Sequence, residues 1–327
     1  MRKAPLGALV GLALGLAALA ADQPAPVVTS LTLFAGNAAG LWRSTDWGGT
    51  WKPVNRSPLD ELGAARSLLA TGARVYLGGA GGFYSSDDFG ETWKRLGTTT
   101  ELRAVLSSRY PDADPTLFAA TSAGLLKSTD GGNKFAPTAI GGEVDRLEWP
   151  GPALVAAGPS GLFISEDGAQ TVRTPLEGLP PGPVRSLALS SFFAADPVMF
   201  VGVGHRGLYR SGDGGKRFLP AGLAGQTVND LVWLGPILYA ATGDGLFRSE
   251  SAGKHWEKIG EGLAGRQVRR LLFPLAPDSG AEVFVATDQG VYRSADGGVR
   301  FERLGMRDQG VDWLATFPPP PPRRKKK

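Results

Sequence analysis

Across residues 31–317, apolar and polar positions alternate in short runs that stop at glycine, the period of two expected of half-buried strands. Seven such runs stand at 31–36, 75–78, 116–120, 153–157, 198–202, 237–241 and 282–286. Each leads through a Gly-containing hairpin into a second run, at 41–44, 83–86, 125–128, 162–165, 208–211, 246–249 and 291–294. A third run opens shortly afterwards, usually on an aromatic residue. These runs predict strands B, C and D of a repeated four-stranded unit. An apolar-x-x-apolar frame predicts the inner strand A at 65–68, 102–105, 144–147, 184–187, 228–231, 268–271 and 311–314. The last frame follows the seventh unit and none precedes residue 31. The C-terminal strand is therefore expected to complete the first unit, removing sheet edges that would otherwise pair with other chains.

Between strands C and D the chain repeats one spelling. Ser44-Thr45-Asp46-Trp47-Gly48-Gly49-Thr50-Trp51 returns as Ser-x-Asp-x-Gly-x-x-aromatic at 86–93, 128–135, 211–218 and 294–301. Two copies are worn: 165–172 keeps Asp167 but has Ala169 and Val172, and 249–256 keeps Gly253 and Trp256 but has Ser251 for the acid. Successive acid positions lie 37 to 46 residues apart, the period of a four-stranded blade. The spelling suits a tight turn, in which a carboxylate accepts backbone N–H groups, a serine hydroxyl joins it and glycine takes a positive φ. The aromatic can then pack into the seam between units.

The spelling resembles the Asp-box, or BNR, repeat of sialidases, sortilin-type receptor ectodomains, xyloglucan-cleaving glycosidases and photosystem II assembly-factor propellers. The resemblance covers residues 31–317 and implies an all-β, seven-bladed propeller. It also implies that the turns lie at the rim opposite the channel mouth. Asp46, Asp88, Asp130, Asp167, Asp213 and Asp296 are accordingly expected to brace turns and not to catalyse.

The ends change the picture of charge. Met1 begins a stretch with Arg2 and Lys3, an apolar run over 6–18 and Ala18-Leu19-Ala20, which reads as a signal peptide over 1–20, with an uncleaved membrane anchor as the other reading. A polar, Pro-containing linker fills 21–30. Residues 318–327 are five prolines and then five cations, a stiff spacer with a basic end that either rests against anionic lipid or envelope polymer or simply solubilises. Setting aside Arg2, Lys3 and the five tail cations turns the chain's +4 into −3 for the rest, so a nucleic-acid partner loses its support. The chain has no cysteine, which excludes disulfides, thiol catalysis and thiolate metal sites. An exported monomer, periplasmic or extracellular, is expected.

Candidate chemistry lies on strand A. The second position of its frame reads Arg66, Arg103, Asp145, Arg185, Asn229, Arg269 and Asp312, with no apolar residue in any unit. Near the mouth of a channel these side chains would form a polar ring. Four guanidinium forks suit carboxylate, sulfate or phosphate, hence an acidic peptide or an acidic sugar. The competing reading is that a wet channel needs polar residues anyway and that Asp145 and Asp312 neutralise part of the ring. Rim loops add Asp60, Glu61, His205, Arg206, Asp244, Glu261, Arg266, Asp288, Gln289, Arg307 and Asp308, read as solvated surface. His205 and His255 stand apart and make no metal site, and Asp112 with Asp114 reads as an ordinary turn. No cofactor is implied.

Among the families resembled, a sialidase implies a tyrosine nucleophile, an arginine triad, usually six blades and a Phe/Tyr-Arg-Ile-Pro motif that is absent here. Tyr76, Tyr84, Tyr209, Tyr239 and Tyr292 occupy packing slots, leaving Tyr110 in an A-to-B loop. The xyloglucan-cleaving type implies acids between two propellers, and one is present. A glycosidase built on Asp60 or Glu61 with Glu261 or Asp308 is the alternative. The favoured expectation is a non-catalytic propeller that binds an envelope protein or acidic polymer, as an assembly factor, stability factor or adaptor.

Overall fold

Hairpins at Gly40, Gly82, Gly124, Gly161, Gly245 and Gly290 join strand B to strand C in six of the repeats, and the chain folds into successive antiparallel meanders. The computed structural model describes residues 31–317 apart from Asn55, 72–73, 98–99, Arg109, Asp112, Pro150, Pro152 and 275–280. The expected signal peptide 1–20, the linker 21–30 and the tail 318–327 lie outside the described residues. Seven sheets result, with two short 3-10 turns, Leu59–Glu61 and Gly204–Arg206, as the helical content among them.

Strands A to D of blade 2 are Ala65–Thr71, Arg74–Gly79, Gly82–Ser86 and Lys94–Arg95. Blade 3 is Ala104–Ser107, Leu117–Ala120, Gly124–Ser128 and Ala136–Gly141. Blades 5, 6 and 7 start with strands A at Val184–Leu189, Val228–Leu234 and Val268–Leu272 and run through the same order. Apart from the outer strand of blade 4, the predicted strands are observed, with ends displaced by up to three residues.

Blade 4 departs from the expectation. It has strands A, B and C at Arg146–Glu148, Leu154–Gly158 and Gly161–Ser165, while its outer strand shrinks to one bridge between Ile164 and Arg173. The cause is legible in the chain. In blades 1, 2 and 5 the residue three beyond the turn aromatic, Val54, Leu96 or Ala221, donates its N–H back to strand C. In blade 4 that place is held by Pro175, which has no N–H to give.

Blade 1 is closed by the C-terminus. Trp313–Phe317 pairs antiparallel with Thr32–Asn37, in the register Gly36 opposite Trp313 through Thr32 opposite Phe317. Asp312 N–H extends the ladder to the Gly36 carbonyl at 2.9 Å. The Trp313 ring lies flat over Gly36, where an added Cβ would meet it at 2.0 Å, and its Nε1–H donates to the Ala65 carbonyl of blade 2 at 2.8 Å. Closure thus fastens two blades with one residue.

The core is a set of seams between neighbouring sheets, and there are seven for seven blades. An open arc would have six. The seventh joins blade 7 to blade 1 through Phe284, Ala286, Val291 and Met306 against Leu31, Leu33 and Ala35. The turn aromatics work in these seams. Trp256 donates its indole N–H to the Ala221 carbonyl of the preceding blade at 2.9 Å, and Trp51 packs where a Cβ on Gly305 would stand, 2.4 Å away.

Candidate channel-mouth site

A simple strand alternates its side chains, but strand A does not start as a simple strand. In blades 2, 5, 6 and 7 the ladder slips at the second frame position, between Ala65 and Ser67, Val184 and Ser186, Val228 and Asp230, and Val268 and Arg270. In blades 3, 4 and 1 the N–H groups of Arg103, Asp145 and Asp312 bond Ala120, Ala157 and Gly36, the same residues that pair with Ala104, Arg146 and Trp313. Every blade therefore opens with a bulge, two residues against one, which re-aims side chains. Residues of both the second and the third frame positions reach the channel lining in consequence, though not in every blade.

Two confluent cavities of about 220 and 280 Å³ occupy this part of the channel. Both are lined by Arg66, Arg103, Asp145, Arg146, Arg270 and Trp313. Asp312 joins the upper one, and Glu148, Asp230, Leu187 and Leu231 the lower. Of the seven residues expected to form the ring, Arg66, Arg103, Asp145 and Asp312 are brought together on this lining, whereas Arg185, Asn229 and Arg269 are not on it. Sequence reasoning passed over Arg146, Asp230 and Arg270. They occupy the third frame position, where charge at 146, 230 and 270 was visible, but alternation argued that the third position turns away from the second.

Most of the ring is already engaged. Arg66 Nε meets Glu101 at 3.1 Å, Arg103 Nη1 meets Glu143, and Arg269 Nη1 meets Asp312 at 2.7 Å. Asp145 lies 3.3 Å from Arg146, and Asn229 donates to the Val268 carbonyl at 2.9 Å. Arg185 is exposed and has no partner among the described residues. One tier in, Asp230 accepts from Arg270 Nη1 at 3.0 Å and from the Leu271 backbone N–H at 2.9 Å, tying blade 6 to blade 7.

The channel perturbs two charges strongly. Arg146 is pushed down to about 10, first by burial and then by the like charge of Arg270. Glu148 is pushed up to about 7, chiefly by removal from bulk solvent and secondarily by Asp230. Glu148 touches water, but only the water of a channel ringed by protein, so its accessible surface overstates its solvation.

The acidic turns lie elsewhere. Antiparallel pairing sends strand C the same way as strand A, so each turn stands at the end opposite the first residues of strand A. Ser44 Oγ donates to Asp46 at 2.7 Å, and Asp46 accepts the Thr50 backbone N–H at 2.8 Å and the Thr50 hydroxyl at 2.7 Å. These bonds, the Thr50 backbone one first, lower Asp46 to about 2. Asp88, Asp130, Asp167, Asp213 and Asp296 repeat the geometry, and Ser251 substitutes by accepting the His255 N–H at 2.8 Å. Trp47 and Gly48 adopt φ of 59° and 86°, which pins the turn.

The rim carboxylates are held by arginines away from the channel. Glu61 meets Arg95 at 2.7 Å, Glu261 meets Arg300 at 2.9 Å and Asp308 meets Arg303 at 3.1 Å. His205 bonds Thr227, Asp244 bonds Gln226, and Asp288 accepts the Gln267 N–H. Asp114 caps Thr116 N–H in its own turn, and Asp112 lies outside the described residues. No group of His, Cys, Asp and Glu among the described residues is arranged to hold a metal. An outer-flank cleft of about 570 Å³ beside Asp130 and Gly168 is larger than the channel cavities, but its charged lining residues among those described are Lys127, Asp130 and Lys134 alone.

No protein-family model matches the sequence, and no curated protein matches it either. Solved structures do resemble it. The GH74 xyloglucanase of Xanthomonas campestris superposes with a TM-score of 0.67 at 15% identity, covering 85% of this chain and 53% of that one. This chain thus spans about half the length of that enzyme. The shared architecture is the propeller. YCF48 from Cyanidioschyzon merolae gives a TM-score of 0.59 at 14% identity, covering 82% of this chain and 95% of that one. A structure of YCF48 bound to D1 peptide gives 0.60 at 16% identity, covering 82% and 92%. At these identities the likeness is one of fold.

Proposed function

We propose that this chain is an exported, non-catalytic propeller that captures an acidic segment of an envelope protein or polymer at its channel mouth, as an assembly factor, stability factor or adaptor. One observation carries the reading: four guanidinium groups, Arg66, Arg103, Arg146 and Arg270, converge on a single polar cavity. Such forks recognise carboxylates with directional, charge-assisted bonds. YCF48, similar in fold and nearly matched in length, has been solved with a peptide bound, which supports a peptide partner for a single propeller of this size. Export rests on the N-terminal sequence, and the basic tail adds a peripheral contact with anionic membrane.

The competing reading is a secreted glycoside hydrolase, favoured by the fold it shares with a xyloglucanase. Of the carboxylates first considered for it, Asp60, Glu61, Glu261 and Asp308, the last three are each paired with an arginine, which weakens them as members of a free acid–base pair. Envelope extract passed over wild type and over an Arg66→Glu/Arg103→Glu variant, which reverses two charges on the cavity lining, tests the proposal. A partner retained by wild type and absent from the variant is expected. Equal capture by both, or turnover of chromogenic glycosides by the wild type, would overturn it.

A further inference from the structure

The arginines on the channel lining are engaged on one side only. Arg103 gives Nη1 to Glu143; Arg146 gives Nη1 to the Asp145 carbonyl at 2.9 Å and to its carboxylate at 3.3 Å; Arg270 gives Nη1 to Asp230 at 3.0 Å. No described residue accepts from the Nη2 group of any of the three. A planar guanidinium held at one Nη points its other Nη in a fixed direction, and each of these side chains lines the same cavities. Three arginines with unused Nη2 donors lining one small space are suited to receive an oxyanion.

The charges agree with the geometry. Burial lowers Arg146 first, and the like charges of Arg270 and Arg185 lower it further against the opposing pull of Asp145 and Asp230. Arg185 has no carboxylate of its own among the described residues. Of the acids on the lining, Asp230 is committed to Arg270 and the Leu271 N–H, Asp312 to Arg269 and Asp145 to Arg146 at 3.3 Å, while Glu148 lines the lower cavity. An incoming anion would offset the like charges of Arg270 and Arg185 at Arg146.

We propose that the channel just inside the mouth binds a single carboxylate or phosphate group among the Nη2 donors of Arg103, Arg146 and Arg270, with Arg185 steering it in. The inference rests on the mouth being the partner face and makes it specific: an acidic group enters the channel and does not merely lie across it. A cavity of about 220 Å³ admits one such group and excludes a folded surface.

Inorganic phosphate and acetate, each titrated into the purified full chain against sodium chloride at matched ionic strength, test the seat through the thermal midpoint and calorimetry. Wild type is expected to gain stability from one of the two oxyanions beyond the chloride control; phosphate alone or acetate alone identifies which group the seat prefers. Arg146→Met should weaken that binding at least ten-fold. Arg185→Met changes an exposed side chain with no described partner, keeps the fold and should weaken it several-fold, so it serves if Arg146→Met does not fold. Equal response to both oxyanions and chloride, or a wild-type response from Arg185→Met, overturns the seat. A short oligo-glutamate run in parallel separates the two claims: peptide binding that survives loss of anion binding refutes the seat alone, and anion binding without peptide binding refutes the partner face.

Discussion

The turns, acidic in six blades of seven, and the channel tier, charged in most, both recur around the ring, yet they satisfy their charges in opposite ways. A turn aspartate is served by its own neighbours, Ser44 and Thr50 around Asp46, and the pattern is nearly the same in each copy. A tier residue is served across a seam, as Arg103 by Glu143 and Arg270 by Asp230, and its identity changes from blade to blade. Local, uniform satisfaction marks scaffold. Varied and half-completed satisfaction on a uniform frame is the arrangement that the proposed ligand would complete.

The comparison breaks most severely if its shared frame is removed. Deleting residues from Val311 onward strips blade 1 of its inner strand, Asp312 from the tier and the Trp313 indole from Gly36 and Ala65. Misfolding or aggregation is expected by size exclusion and thermal melt, because an open edge and a lost seam appear together. An unchanged melting midpoint would show that the ring is not held this way.

A smaller effect separates the two regions by pH. Glu148 sits at about 7 in the folded channel against an ordinary 4.5, so its neutral form stabilises the fold at low pH and that stability is lost as pH rises from about 4.5 through 7. Glu148→Gln should flatten this limb and, allowing for screening by channel water, be more stable than wild type by about 1 kcal/mol at pH 8. Its surroundings are Asp230, Asp145, Arg146 and Arg270 on the same lining. Parallel pH–stability curves for variant and wild type would contradict the channel electrostatics.

The turns respond in the other direction. Asp46 is held at about 2 against an ordinary 3.8, so its contribution is present above 3.8 and lost as pH falls through 2. Asp46→Ala should cost about 1 kcal/mol near neutrality, reduced by solvent exposure, with the difference from wild type vanishing towards pH 2 in urea melts. A variant as stable as wild type at pH 7 would remove the bracing role.

The turns were legible in the sequence because every atom that explains them lies within eight residues, so spacing alone encodes the geometry. The closure was legible for a topological reason: a strand A frame was missing at one end and spare at the other. Half of the site was not. Strand alternation hid Arg146, Asp230 and Arg270, because the bulge that turns them to the channel is a property of the ladder between strands and leaves no spelling of its own. The partners Glu101 and Glu143 stand 35 and 40 residues from Arg66 and Arg103, a distance that only the packing of neighbouring blades makes short. Blade 4 shows the reverse case, where a single residue, Pro175, announces the loss of an outer strand once its place in the ladder is known.

The most direct measurement is a calorimetric titration of oligo-glutamate into three proteins: wild type, Arg66→Glu/Arg103→Glu and Asp46→Ala. Binding by wild type and Asp46→Ala alike, with none by the charge-reversed channel variant, is the result expected. Binding lost in a folded Asp46→Ala protein, or kept by the charge-reversed one, would mean that the partner face is at the turns and not at the channel mouth.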